Sequence, residues 1–189
     1  MTTNSGLPFL PDKGIIFLDN CAFNRDDYVL TNISRKNYSP THLKKETTRL
    51  EALTISLSAM NNWCTIKEVV EEFVDGNSAF RRNIMHSNCI QKEKAFKRLL
   101  RQREKTLQLL KQEHVIADNS LVNELEYIIN KITPQIEKKF NKRDGITNEK
   151  KTDIKLITLA LAYTMESPSY HSLIFSQDQT LLKTFSDCA

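Results

Sequence analysis

Glycine is scarce in this 189-residue chain, with four residues, and only five prolines accompany it. No Gly-rich phosphate loop can be assembled from so few, which excludes a P-loop nucleotide site. The four cysteines, Cys21, Cys64, Cys89 and Cys188, are irregularly spaced and include no Cys-x-x-Cys pair. They do not suggest a zinc site and read as reduced thiols, with Cys21 and Cys64 buried at strands. His42, His86, His114 and His171 show no ligand spacing such as His-x-x-x-His and read as surface or strand-edge residues. No Gly-x-Ser-x-Gly elbow presents a nucleophile. No apolar run reaches the roughly 20 residues that span a bilayer. The opening stretch, Met1 to Lys13, is polar and Pro-interrupted, and the run Ile15–Leu18 is too short for a signal-peptide core. A cytoplasmic location with no membrane partner is therefore expected.

What is present is ordinary for a globular chain: 40% hydrophobic residues and a mean hydropathy of -0.44. The length suits one domain with a real core and is short for two. The net charge is only +4 but unevenly spread. Gln91–Lys111 carries eight basic and two acidic residues, and Ile136–Lys151 carries six basic and three acidic. Basic flanks around an acidic centre suit a polyanion held near a metal site. The plainer reading is that these are solvated helix faces.

Three short runs read as strands: Gly14-Ile-Ile-Phe-Leu18, Trp63-Cys-Thr-Ile66 and Ser172-Leu-Ile-Phe-Ser176. Between them the spacing predicts helices. Thr41 caps one that carries Leu43, Leu50, Leu53 and Leu57. Lys67 to about Val74 forms another, broken by Asp75-Gly76-Asn77. A long helical region covers Ser78–Glu113, with an apolar stripe of Phe96, Leu99, Leu100, Leu107 and Leu110 and the basic residues mostly off it. His114–Asp118 reads as a turn or a short strand. Asn119 or Ser120 caps a helix that Pro134 kinks or interrupts. Asn141–Lys151 reads as a charged loop, and Thr152 caps an apolar helix that ends at Ser167-Pro168. A short terminal helix follows Asp178. Asn24–Pro40 reads as a long loop or a weak helix. Helices alternating with short buried strands predict an α/β fold with a parallel sheet, one domain over residues 1–189 with 78–140 as a helical insertion.

Carboxylates stand where such a sheet binds ligands. Asp19 lies one residue past the first strand and Asp178 two past the last, at the carboxyl edge. Asp153, in the first turn of its helix, and Glu72, in the helix after the second strand, can reach the same edge. Clustered carboxylates repel unless a cation sits between them, and oxygen-only ligands suit Mg²⁺ or Mn²⁺. Glu68, Glu71 and Glu72 lie within about one helical turn of each other. An aspartate-based phosphatase of the haloacid dehalogenase kind would need a second Asp where Cys21 stands. Trp63 reads as core, and Asp26 and Asp27 decorate a loop. Lys92, Lys94, Lys97, Arg98, Arg101, Arg103 and Lys105 form a candidate backbone-binding surface, although Lys150 and Lys151 are closer to Asp153.

Four stretches resemble, in order, the motifs of PIN domains. They are Ile15-Ile-Phe-Leu-Asp-Asn-Cys-Ala-Phe23, Cys64-Thr-Ile-Lys-Glu-Val-Val-Glu-Glu-Phe73, Lys151-Thr-Asp-Ile-Lys-Leu-Ile-Thr-Leu-Ala160 and Leu173-Ile-Phe-Ser-Gln-Asp178. The resemblance implies a PIN-like three-layer α/β/α fold and a metal-dependent endoribonuclease hydrolysing RNA phosphodiester bonds. It implies that Asp19, Glu72, Asp153 and Asp178 ligate Mg²⁺ or Mn²⁺ and do the catalysis, Glu72 being picked over Glu71 because it precedes Phe73. Ser176 would hold Asp178, Asn20 would orient Asp19 or touch a phosphate, and Arg98, Arg101, Lys150 and Lys151 are the nucleic-acid-binding candidates. Three features depart from the pattern: Asn20 stands where the family has Thr or Ser, the chain stops at Ala189 before a last strand, and residues 78–140 are long. The alternatives are a catalytically silent RNA- or protein-binding module and the toxin of a toxin–antitoxin pair. An antitoxin or a second copy of the chain (a homo-oligomer) stands as a partner beside RNA.

Overall fold

Ile15–Leu18 forms strand β1 with three of its four side chains fully buried, as expected where both faces of a parallel strand are covered. The computed structural model describes residues 14–23, 40–85, 90–110, 115–116, 121–143, 148–166 and 171–189. The expected loop over 24–39, with Asp26 and Asp27, lies outside these residues. So do His86, Cys89, His114, the Asn119–Ser120 cap and the Asp144-Gly145 turn.

Along the chain β1 is followed by a single helical turn, α1 (Asn20–Phe23), then α2 (Pro40–Ser58), β2 (Trp63–Ile66), α3 (Lys67–Met85) and α4 (Ile90–Leu110). The two-residue β3 (Val115–Ile116), α5 (Leu121–Arg143), α6 (Asn148–Glu166), β4 (Ser172–Phe175) and α7 (Gln179–Ser186) complete it. The sheet is parallel throughout, in the order β3-β2-β1-β4. Its body is three four-residue strands, with Ile15 to Leu18 facing Ser172 to Phe175 residue by residue and Phe17 facing Cys64. The result is a mixed α/β protein, mostly helical around a small parallel sheet. The segment read as a helical insertion supplies β3, the sheet's edge strand, and its buried Phe96, Leu99, Leu125 and Phe140 belong to the same core cluster as β1.

Four expected boundaries are corrected. Helix α3 does not stop at Asp75-Gly76-Asn77 but runs on to Met85. A helical Gly costs about 1 kcal/mol against Ala, and buried Val69, Phe73 and Asn77 on the same helix outweigh it. Helix α5 continues through Pro134, so of the two expected effects, a kink or an interruption, the interruption does not occur. Asn130, whose carbonyl loses its amide partner at Pro134, is exposed and can turn that carbonyl to water. Helix α2 begins at Pro40, which suits a first helical position, so Thr41 sits inside it rather than capping it. Helix α6 begins at Asn148, so the charged stretch 148–151 is its first turn and Thr152 is a buried interior residue.

Trp63 is core, as expected, its indole N–H donating to the Leu57 carbonyl at 2.8 Å. Cys64 is buried in β2, whereas Cys21 is only half-buried and lies in α1 rather than a strand. Burial in apolar surroundings pushes the Cys64 thiol far above its ordinary range, which makes it inert. Within the described residues, no helix is long and apolar enough to cross a membrane.

Candidate active site

The carboxyl ends of β1, β2 and β4 lie side by side, and hydrogen bonds lock them. The Thr65 hydroxyl, fully buried at the end of β2, donates to the Leu18 carbonyl at 2.8 Å. The Asp19 amide donates to the Phe175 carbonyl at 3.2 Å, carrying the ladder one residue past the strand. Asp19 thus leaves the sheet in a fixed direction.

Its carboxylate is buried and bonded on both oxygens. Oδ1 accepts the Asn20 amide at 2.6 Å, and Oδ2 accepts the Cys21 amide at 3.3 Å and the Ser176 hydroxyl at 2.6 Å. These donors satisfy a buried negative charge. Asn20 orients Asp19 through its backbone N–H.

Ser176 also accepts the Asp178 amide at 3.0 Å. Asp178 caps α7: its Oδ1 accepts from the Thr180 amide at 2.7 Å and the Leu181 amide at 3.1 Å. Among the described residues Oδ2 of Asp178 accepts no hydrogen bond.

Asp153 projects from the second turn of α6, one turn later than expected, and is half-buried. Its carboxyl is pushed up to about 8. Burial is the largest cause, followed by the negative charges of Asp19, Asp178 and Glu72, against a smaller lowering by Lys150. Three of the carboxylates expected from the sequence, Asp19, Asp178 and Glu72, therefore lie within electrostatic reach of the fourth, Asp153. Glu72 rather than Glu71 takes part. Glu71 is exposed and pairs with Lys67 at 3.4 Å, while Glu68 pairs with Lys155 at 2.6 Å.

An all-oxygen donor set suits a hard divalent cation, and a cation among these groups would offset both the burial of Asp153 and the repulsion of its neighbours. Among the described residues no group of three or more Asp, Glu, His or Cys side chains is spaced to hold a metal ion.

The basic candidates separate. Lys150 acts on Asp153. Lys151, two residues before Asp153, instead lines a groove of about 410 Å³ between α5 and α6, with Ile129, Ile154 and Leu159. Arg98 and Arg101 are exposed on α4. Arg103, expected on the same surface, is buried. Its guanidinium lies 4.4 Å from the centre of the Phe73 ring, and its Nε donates to Asn77 Oδ1.

One structural element was not anticipated. Arg49 donates to the Ala22 and Phe23 carbonyls at 2.9 and 3.0 Å, and is itself held by Glu46 at 2.5 Å. It closes the far end of α1, whose near end holds the Asp19 carboxylate. The signal was spacing: Glu46 falls between Leu43 and Leu50 on the buried face of α2.

Comparison with known proteins finds no matching family model, no matching curated protein and no matching solved structure.

Proposed function

We propose that this chain is a PIN-like, metal-dependent endoribonuclease, a single three-layer α/β/α domain with residues 78–140 built into it. The observation that carries the reading is the placement of Asp19 and Asp178 just past the carboxyl ends of the paired strands β1 and β4, joined through Ser176 at 2.6 and 3.0 Å, with Asp153 within electrostatic reach of both and of Glu72. Four carboxylates from distant segments, at the carboxyl edge of a parallel sheet, support a site for Mg²⁺ or Mn²⁺. The bound ion would supply a water of lowered pKa and neutralise phosphate charge in an in-line displacement.

The chain's own residues would divide the work. Asp19, fixed by three donors, gives a rigid ligand. Asp178 offers Oδ2 while Oδ1 holds α7. Asp153 and Glu72 close the cluster from α6 and α3. Ser176 ties Asp19 to the backbone of Asp178 and so sets their separation. Lys150, whose charge acts on Asp153, would meet a phosphate.

The test is cleavage of single-stranded RNA in Mn²⁺ by the intact chain and by Asp19→Asn, Asp153→Asn, Glu72→Gln and Glu71→Gln. The first three are expected to lose activity while remaining folded, and Glu71→Gln to keep it. Full activity in Asp19→Asn and Asp153→Asn would refute the site, and loss in Glu71→Gln alone would move the ligand to that residue.

A further inference from the structure

We infer that the exposed ridge of α4 binds the phosphodiester backbone of single-stranded RNA. Helix α4 spends one face on the core: Phe96, Leu99, Arg103, Thr106 and Leu110 are buried. Thr106 and Gln102 each reach Thr54 of α2, at 2.9 and 3.1 Å. That packing fixes which side chains face outward. Lys94, Arg98, Arg101 and Lys105 are all exposed and follow one another at steps of four, three and four residues. On a helix such steps stack side chains into one ridge, here roughly 16 Å long at 1.5 Å per residue.

The acidic side chains of the helix do not neutralise this ridge. Glu93 is taken by Lys97 at 2.5 Å and Glu104 by Arg81 of α3 at 2.5 Å. Among the described residues none of the four ridge cations has an acidic partner. Like charges three and four positions apart repel and weaken the helix that carries them. A polyanion laid along the ridge would remove that repulsion.

The surroundings select the polyanion. The exposed large apolar side chains among the described residues are Ile55, Tyr127, Met165, Leu173 and Phe175, none of them on α4. A membrane-seeking helix or a protein-docking helix pairs its cations with an apolar anchor, and among the described side chains the ridge has none. Repeated positive charge without such an anchor matches a backbone of phosphates, which is bound by charge and without regard to base. Choosing RNA rests on the proposed nuclease reading; the ridge and its charge do not.

The experiment measures binding alone. A fluorescently labelled uridine 12-mer is titrated with the intact chain in excess EDTA, so that no metal is bound, across a range of potassium chloride concentrations. The comparison is the exposed-residue variant Lys94→Gln/Arg98→Gln/Arg101→Gln/Lys105→Gln. The control, Lys44→Gln/Lys45→Gln/Lys131→Gln/Lys138→Gln, removes the same charge from exposed lysines of α2 and α5.

The ridge variant is expected to bind more weakly, with a salt slope shallower by about 0.7 for each phosphate it no longer neutralises, or about 3 for all four. The control is expected to change the slope by less than one such step. Should circular dichroism show the quadruple variant unfolded, Arg98→Gln/Arg101→Gln carries the test, with about half the slope change. An unchanged slope in the ridge variant, or an equal change in the control, would overturn the inference. Polyglutamate displacing the RNA at equal charge would overturn it in favour of an acidic protein partner. Binding is read in EDTA and cleavage in Mn²⁺, so failed cleavage and failed binding remain separate results.

Discussion

Ser176 and Asp19, 157 positions apart, are joined by a 2.6 Å hydrogen bond from the serine hydroxyl to Oδ2 of the carboxylate. The same serine oxygen accepts the Asp178 amide. One hydroxyl therefore sets both the direction of the first acid and the start of the turn that carries the last. Ser176→Ala removes the donor and leaves a buried carboxylate oxygen with only the 3.3 Å Cys21 amide. Stability is expected to fall by about 1.5–3 kcal/mol, the range for hydrogen bonds to charged groups. Mn²⁺ affinity should fall by roughly 10–100-fold, as when a residue that orients a ligand is removed. Denaturant unfolding and Mn²⁺ titration read the two separately. Ser176→Ala with intact Mn²⁺ affinity would show that Asp19 needs no such support.

Asp178 caps α7 and, in the proposed site, would also ligate the metal, two tasks that substitution can divide. Its Oδ1 caps α7 while Oδ2 stays available. Asn caps a helix about as well as Asp. Asp178→Asn is therefore expected to keep stability within about 0.5 kcal/mol while losing divalent-metal binding, and Asp178→Ala to lose both, at about 1 kcal/mol for the cap. Thermal melts in EDTA and in Mn²⁺ distinguish the cases. Equal Mn²⁺ stabilisation of Asp178→Asn and the intact chain would remove Asp178 from the ligands.

The strand positions were legible because each is a short apolar run that stops abruptly, at Asp19, at Lys67 and at Ser176. Once those strands are parallel, the carboxyl edge gathers their following acids by topology, so Asp19 and Asp178 could be chosen without coordinates. Helix ends were less legible because local signals lose to burial. Gly76 and Pro134 mark breaks in a free chain, but the helices that contain them are pinned by buried neighbours. Thr152 looks like a cap, which puts Asp153 at a helix start, and only the turn at 148–151 shows otherwise. The charge of Arg103 points to the surface, but its position in the helix points to the core. Phe96, Leu99, Arg103, Thr106 and Leu110 follow a three-four spacing, and Arg103 holds a stripe position that its long stem can bury against Phe73. Charged residues at stripe positions, Glu46 and Arg103 alike, were the missed signal.

Arg49 and Glu46 give a prediction of that kind. Arg49 reaches two carbonyls at the end of α1 while Glu46 fixes its guanidinium. Arg49→Met leaves a mostly buried glutamate without its partner, and stability is expected to fall by about 2–4 kcal/mol. Glu46→Gln/Arg49→Met should recover about half of that loss, since the uncompensated charge is gone while the α1 carbonyls remain uncovered. A double-mutant cycle by urea unfolding measures the coupling. Additive single effects would show that the pair acts as two independent surface groups.

The charge cluster makes the metal-free protein pH-sensitive in a stated direction. The Asp153 carboxyl is pushed up to about 8 in the folded chain, against 3.8 for the ordinary side chain. Between those values the folded state holds a proton that the unfolded state has released, so stability falls as pH rises from about 4 to about 8 and levels off beyond. Asp153 is partly exposed, so solvent screens some of the effect. In EDTA the Tm of the intact chain should therefore drop more between pH 5 and pH 8 than that of Asp153→Asn, which has no proton to lose. At pH 8 the variant should be the more stable of the two. Mn²⁺ competes with that proton, so the rise in Tm that it brings should be larger at pH 8 than at pH 6. Parallel Tm profiles for the two proteins in EDTA would mean that Asp153 is not crowded by Asp19, Asp178 and Glu72, and the candidate site would lose its electrostatic basis.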